Sequence, residues 1–278
     1  MPSLEPGRLQ IVFRDETEIA TLEQKIVQQR NELSLAYDAL NTAKERVEAA
    51  LREKTTLLAN VSHDLKTPLQ VIMGNAEILR NDLPDEERKA FLRDIADNST
   101  YLLTLITDLL DASAIDAAQM ELSEETIDIN EMLARILSMA KRLPGATSKR
   151  FEFVASDDQT MILADPMRLQ RLLLNILSNA VKFTDDEGHV VVRVGRTGTG
   201  DLMLEVEDNG CGIEPIMKDR IFEPFTRSGR AEGTGLGLHI AKGLAELHDG
   251  DLSISSRIGV GTTAKLRLPK CRLIETTT

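Results

Sequence analysis

The sequence predicts a long helical N-terminal part followed by an α+β domain. Three observations carry that expectation. Residues 19–71 read as heptads that only Pro68 interrupts. A second amphipathic stretch follows a short break at residues 81–85, which contains Pro84. Beyond residue 118, short β-type runs alternate with helical ones and glycines become frequent. The 278 residues suffice for about two domains.

The heptads come first. Ile19, Ile26, Leu33, Leu40 and Val47 recur every seven residues, and Leu22, Gln29, Ala36, Ala43 and Ala50 follow three behind. This is the pattern of a parallel coiled coil and implies a homodimer. The seam then jumps by four residues to Leu51, Leu58, Leu65, Ile72 and Leu79. Such a stutter locally unwinds a supercoil. It either receives a signal or is one of the neutral offsets common in long coiled coils. The second helix carries Leu92, Ile95, Ser99, Leu102, Ile106 and Leu109 on one stripe. Two hairpins of this kind, one from each subunit, would bury their stripes as a four-helix bundle.

In the second part, residues 130–142 and 167–183 read as helices. Residues 151–155, 161–163, 190–194, 202–207, 252–255 and 264–268 read as strands. The expected organisation is a leader (1–18), a coiled coil (19–50), a helical hairpin (51–117), a linker (118–127), the α+β domain (128–270) and a tail (271–278). Aromatic residues make up only 3% and Trp is absent, so the cores must be built from Leu, Ile, Val, Met and Ala.

Composition excludes several roles. A net charge of −12 argues against a nucleic-acid binder and against attraction to anionic membranes. Cys211 and Cys271 form neither a disulfide framework nor a metal-ligand spacing, and free thiols suit a reducing compartment. No apolar run approaches a membrane span and no signal peptide opens the chain. The expectation is a cytoplasmic chain without membrane contact, any spans of a parent protein lying outside these residues.

His63 stands in Ser62-His63-Asp64-Leu65-Lys66-Thr67-Pro68. It is two residues from both Val61 and Leu65 and so projects away from the apolar stripe. An exposed neutral imidazole has a lone pair for attack on phosphorus. Asp64 can accept its other N–H and take the proton. Thr67 follows one turn later, and Pro68 removes a helical N–H and should bend the helix. His189, His239 and His248 lack such surroundings and read as surface or core residues.

Four blocks point to a nucleotide. Asn175, Asn179 and Lys182 share one helical face, which suits a Mg²⁺–phosphate cluster because Mg²⁺ takes oxygen ligands shared with phosphates. Asp165 and Pro166 mark that helix's start. Asp208 continues the inward face of a strand formed by Leu202, Leu204 and Val206, where a carboxylate needs a partner. The exocyclic amino group of adenine is a suitable one, and Gly210 and Gly212 let backbone approach the purine. Phe222 and Phe225 form the third block. Gly233-Thr234-Gly235-Leu236-Gly237-Leu238, running into a helix, offers backbone N–H groups to phosphate. The segment between Gly212 and Gly233, with Lys218, Arg220, Arg227 and Arg230, reads as a lid.

Residues 57–69 resemble the phosphoacceptor segment of sensor histidine kinases almost position for position. The four later blocks resemble the family's catalytic domain, an α/β-sandwich shared with type II topoisomerase, mismatch-repair and heat-shock chaperone ATPases. The resemblance covers about residues 50–268. It implies an ATP- and Mg²⁺-dependent protein-histidine kinase that phosphorylates His63 and passes the phosphoryl group to an aspartate on a response-regulator receiver domain. Asp64 and Thr67 also fit the family pattern for the reverse dephosphorylation. By the same resemblance Asn179 is the principal Mg²⁺ ligand, with Asn175 and Lys182 near the phosphates. Asp208 reads adenine between Gly210 and Gly212. Gly233, Gly235 and Gly237 bind phosphates, and Thr262 closes the fold beside the base. In the transfer itself Lys182, Mg²⁺ and Arg227 would offset negative charge. Residues 7–13 and the following Asp15-Glu16-Thr17 resemble the end of a PAS domain; a disordered leader is the other reading. An ATPase or a coiled-coil adaptor with an unused histidine is the competing function. The His-Asp-x-x-Thr-Pro string and the intact Asn, Asp and Gly blocks speak against both.

Overall fold

The computed structural model describes residues 17–81, 83–156, 160–226 and 233–274. The leader strand expected at residues 7–13 lies outside them, as do Arg227 and Arg230. Helix α1 (Thr17–Ile78) runs unbroken through Pro68, so the proline does not end it. The expected seam is open to solvent in the single chain: Ile26, Leu33, Leu40 and Val47 are 57%, 72%, 65% and 67% exposed. Helix α2 (Asp85–Asp116) starts after Pro84 with Asp85, Glu86 and Glu87 in its first turn, which complements the positive end of the helix dipole.

On α2, Leu92, Leu103, Ile106 and Leu110 are exposed, whereas Leu105, Asp108 and Ala112 are buried. The face covered within the chain therefore lies beside the stripe the heptads single out. Here Ile115 approaches helix α6 (Gly237–Leu247) so closely that a Cβ at Gly243 would lie 2.4 Å from its Cγ2.

Among the described residues the α+β domain holds two sheets. Strands β2 (Arg150–Val154), β4 (His189–Arg196), β5 (Leu202–Asp208), β6 (Asp251–Arg257) and β7 (Gly261–Leu268) form one sheet in the order β2-β4-β5-β7-β6. Only the β2–β4 pairing is parallel. Strands β1 (Glu125–Asp128), β3 (Met161–Ala164) and β8 (Leu273–Ile274) form a small antiparallel sheet. Sequence alone hid β1 and β8, whose four and two residues are too short to show a period. They lie in the stretches read as linker and tail. Arg272 ties the C-terminal segment down by donating to Glu124, to Asp249 and to the Leu163 carbonyl.

A single helical turn, α5 (Pro215–Lys218), lies between β5 and α6. Helices α3 (Ile129–Ala140) and α4 (Pro166–Phe183) are capped by aspartates. Asp128 accepts from Asn130 and Glu131 N–H, and Asp165 accepts from Met167 and Arg168 N–H, each cap satisfying two otherwise orphan donors. Asp165 also accepts from Ser123 N–H. Burial alone would raise its pKa, but these three backbone donors hold it below the ordinary value. The apolar faces of α3, α4 and α6 meet the larger sheet in one core, with Leu133, Ile136, Leu169, Leu172, Leu177, Leu204 and Leu266 almost wholly buried. It is an aliphatic core, as the composition requires. His248 is a core residue too. Its Nε2 accepts from Asp165 N–H at 3.1 Å and its Nδ1 donates to the Leu244 carbonyl at 2.7 Å.

Candidate functional site

His63 sits on α1 with its side chain 81% exposed, and its Nδ1 lies 3.5 Å from Asp64 Oδ1. This is the disposition its offset from the apolar stripe predicts. The ring thus turns Nδ1 toward the carboxylate. Thr67 and Lys66 on the following turn are exposed as well.

The other candidate residues gather around the C-terminal half of α4. Asp208 ends β5 with only 9% exposure. Its Oδ1 accepts from Gly210 N–H at 2.9 Å and from Thr262 N–H at 3.2 Å. Its Oδ2 has no hydrogen-bond partner among the described residues. Burial raises the Asp208 pKa, against the pull of those two amides. One oxygen is thus fixed by backbone and the other is poised for a donor from outside the chain.

The flanking glycines also serve packing. A Cβ at Gly210 would lie 2.3 Å from the Phe183 carbonyl oxygen, and one at Gly212 2.3 Å from that of Arg257. They let this loop wedge between the end of α4 and the β6–β7 turn. Gly261, at φ +134°, is tighter still: a Cβ there would lie 1.9 Å from the Asp208 carbonyl oxygen. Ser256, which sequence reasoning missed, completes the wall. Its hydroxyl accepts from Ile213 N–H, lies 2.9 Å from Thr262 Oγ1 and donates to the Gly261 carbonyl.

Along the side of α4 runs the glycine loop. Gly233 and Gly235 have φ of +140° and +70°, a region that strains residues with a Cβ. The Lys182 ammonium stands beside Gly233, 3.1 Å from where a Cβ would be, and over the Phe183 ring. Asn175 donates through Nδ2 to the Gly237 carbonyl at 3.0 Å, so it anchors the loop's exit. Leu236 is wholly buried and its N–H donates to Thr234 Oγ1; its side chain belongs to the core. Gly237 begins α6, and the first turn of any helix presents backbone N–H groups that lack an intrahelical partner. Leu238 follows, half-buried. Phe222 and Phe225 pack against the core, and Phe225 takes a positive φ of 61° where Gly235 crosses it. Arg227 lies outside the described residues.

Two acidic and two basic residues that sequence reasoning also missed form a cluster that touches this loop through Asp108. Arg171 donates to Asp108 at 2.7 Å and pairs with Asp111, which also accepts from Arg168 at 3.3 Å. Thr234 Oγ1 donates to the second oxygen of Asp108 at 3.0 Å. His239 bridges the Phe222 carbonyl and Asp116.

Among the described residues no three His, Cys, Asp or Glu side chains gather to hold a metal. Asn179 is half-buried on the α4 face between Asn175 and Lys182. A carboxamide oxygen is a hard donor, and it fits Mg²⁺ shared with phosphate oxygens, an arrangement that needs few protein ligands.

An exposed helical histidine with an adjacent carboxylate, on a chain that also carries an α/β layer with a buried aspartate and a glycine loop, defines the class of sensor histidine kinases. The comparisons agree. Residues 53–118 match the His Kinase A (phospho-acceptor) domain, and residues 164–272 match the histidine kinase-, DNA gyrase B- and HSP90-like ATPase family. The Escherichia coli sensor protein TorS is 38% identical over 231 residues, which are 82% of this chain and 25% of TorS. The Caulobacter vibrioides histidine protein kinase DivJ is 36% identical over 238 residues, 83% of this chain and 40% of DivJ. The structure of full-length ShkA in complex with AMPPNP aligns at a TM-score of 0.60 and 32% identity, covering 76% of this chain and 45% of ShkA. The fold is also that of the Acinetobacter baumannii histidine kinase AdeS, with a TM-score of 0.62 at 21% identity over 75% of this chain and 98% of AdeS. The chain belongs to the sensor histidine kinase family. It spans a quarter to two-fifths of the length of these two curated relatives.

Proposed function

We propose that this chain is an ATP-dependent protein-histidine kinase core that phosphorylates His63 and then transfers the phosphoryl group to an aspartate of a response-regulator receiver domain. The observation that carries the reading is the pairing of His63 Nδ1 with Asp64 on a helix whose chain also holds the Asp208 site. Asp208 Oδ2 accepts the adenine amino group, and the first turn of α6 with Lys182 meets the phosphates. Asn179 would hold Mg²⁺, which when bound supplies charge neutralisation between the phosphates. His63 Nε2 attacks the γ-phosphorus, the bond to the bridging oxygen breaks, and ADP leaves with the electron pair. The Nδ1 proton of the resulting imidazolium is held, then taken, by Asp64. Positioning and charge neutralisation dominate such a transfer. ShkA, solved with AMPPNP, supports the nucleotide assignment.

The exposed apolar seam of α1 supports a homodimer through the coiled coil and helical hairpins. No helix among the described residues is long and apolar enough to cross a membrane, in keeping with catalysis in the cytoplasm. Thr67, exposed one turn beyond His63, supports a second activity, dephosphorylation of the same regulator. Thr67→Ala should abolish it and spare autophosphorylation; unchanged phosphatase activity would remove the assignment.

The deciding experiment incubates the chain and its His63→Gln variant with γ-labelled ATP and Mg²⁺. Acid-labile, alkali-stable label in the parent alone supports the proposal. Label persisting in the variant would place the acceptor elsewhere, and nucleotide binding without label would favour an ATPase or adaptor.

A further inference from the structure

The ion cluster between α2 and the glycine loop serves none of the roles described above. Asp108 is 8% exposed on α2, more than a hundred residues from its partner Thr234, which is 9% exposed. Its two oxygens are divided: Oδ1 accepts from Arg171 of α4, and Oδ2 accepts the Thr234 hydroxyl. The same Thr234 oxygen accepts the Leu236 N–H at 3.2 Å. Thr234 stands between the two positive-φ glycines, Gly233 and Gly235, where the backbone has most freedom to lose on ordering. Its hydroxyl is therefore turned away from a phosphate role. Its side chain fixes the loop between those hinges, and the group that orients it is supplied by α2.

We propose that Asp108 is a positioning residue for nucleotide binding: through the Thr234 hydroxyl it holds the glycine loop in its phosphate-receiving shape, so that nucleotide affinity depends on α2 being seated against α6. The inference rests on the ATP-binding reading above. Two features suit the task. Arg171 offsets the Asp108 charge, so a carboxylate can stand near a phosphate site without repelling it. Asp111, Arg168 and the Ile115–Gly243 contact hold α2 at this spot independently of Thr234, so the hydrogen bond can report the seating of α2 without being its main cause. A helix that carries part of the phosphoacceptor domain thereby has a direct contact into the nucleotide site.

The test measures the affinity of the whole chain, in a His63→Gln background that blocks turnover, for a fluorescent ATP analogue. Thr234→Val removes the hydroxyl at constant volume, Thr234→Ser keeps it, and Asp108→Ala removes the acceptor. Losing one charge-assisted hydrogen bond should weaken binding about tenfold in Thr234→Val and in Asp108→Ala. The Thr234→Ser variant should bind like the parent. Because both losses act through one bond, the Asp108→Ala/Thr234→Val double variant should be no weaker than either single, within about twofold. Additive losses, or a Ser variant as weak as the Val variant, would overturn the inference. Should Asp108→Ala fail to melt cooperatively, the Val and Ser pair decides alone. A parent that binds no nucleotide would overturn the ATP-binding reading and this inference with it; a parent that binds normally beside unmoved variants overturns this inference only.

Discussion

Replacing Asp208 by Asn tests the nucleotide site most sharply, because the two carboxylate oxygens have separate duties. Oδ1 accepts from Gly210 and Thr262 N–H, and an amide oxygen in the same place keeps both bonds. Oδ2 becomes an NH₂ group, which turns its donors toward the donor of adenine. The substitution also removes a carboxylate that burial already disfavours, as its raised pKa shows. Folding stability should therefore change by less than about 1 kcal/mol, while nucleotide affinity loses a charge-assisted hydrogen bond and gains a donor–donor conflict. A loss of about 1.5–3 kcal/mol corresponds to roughly ten- to a hundredfold in Kd. Preference should move too: guanine offers a carbonyl oxygen where adenine offers the amino group, so the Asn variant should discriminate less between ATP and GTP. The assay pairs titration of labelled ATP and GTP analogues with thermal melting of the unliganded protein. ATP affinity within twofold of the parent, at an unchanged melting temperature, would refute the idea that Oδ2 reads the base. Asp208→Ala is the contrasting variant. It strands two amides, at about 1–3 kcal/mol each, so it should lower stability as well as affinity.

Three further outcomes follow from packing and charge. Gly261→Ala must place a Cβ against the Asp208 carbonyl at a φ that disfavours it, and should lower the unfolding free energy by about 2 kcal/mol or more, read by urea denaturation. Gly243→Ala drives a methyl into Ile115. It should weaken nucleotide binding by unseating α2, and Ile115→Ala added to it should recover most of the loss; no recovery would argue that the wedge acts within α6. The third concerns His248. Burial lowers its pKa below the ordinary histidine value of about 6.5 despite the Leu244 carbonyl and the Asp165 and Glu124 carboxylates, with Arg272 adding to the lowering. The unfolded chain therefore takes up the proton first, and stability is retained above pH 6.5 and lost as pH falls below it. Melting temperatures of the parent should fall from pH 7.5 to 5.5 more steeply than those of His248→Gln, and equal slopes would refute the assignment.

How legible each feature was depended on the physical range of the interaction behind it. Local periodicity placed α1 and α2, since a helix carries its seam in its own sequence. Strand alternation placed Asp208 on the inward face of β5, because side-chain direction repeats every two residues. Asp165 and Pro166 announced α4 through capping chemistry that acts within three residues. His63 and Asp64 were adjacent in sequence and are adjacent in space.

What sequence could not show was everything joined across long separations. The missing side chains of Gly210 and Gly212 also make space for the backbone of Phe183 and Arg257, a fact visible only once β5, α4 and the β6–β7 turn meet. Asp108 was a polar residue on a helix already assigned an apolar stripe. A second pattern, Leu105, Asp108, Ala112 and Ile115, did mark another buried face at helical spacing and could have been noticed. Its partners could not, because Arg171 and Thr234 are 63 and 126 residues away. The sequence by itself determined the long helices, the strand faces, the exposed histidine beside an aspartate and the family. Only the tertiary structure decided which oxygen of Asp208 stays open, which glycines are packing elements, and that α2 reaches the glycine loop, because each depends on atoms that chain folding alone brings within bonding distance.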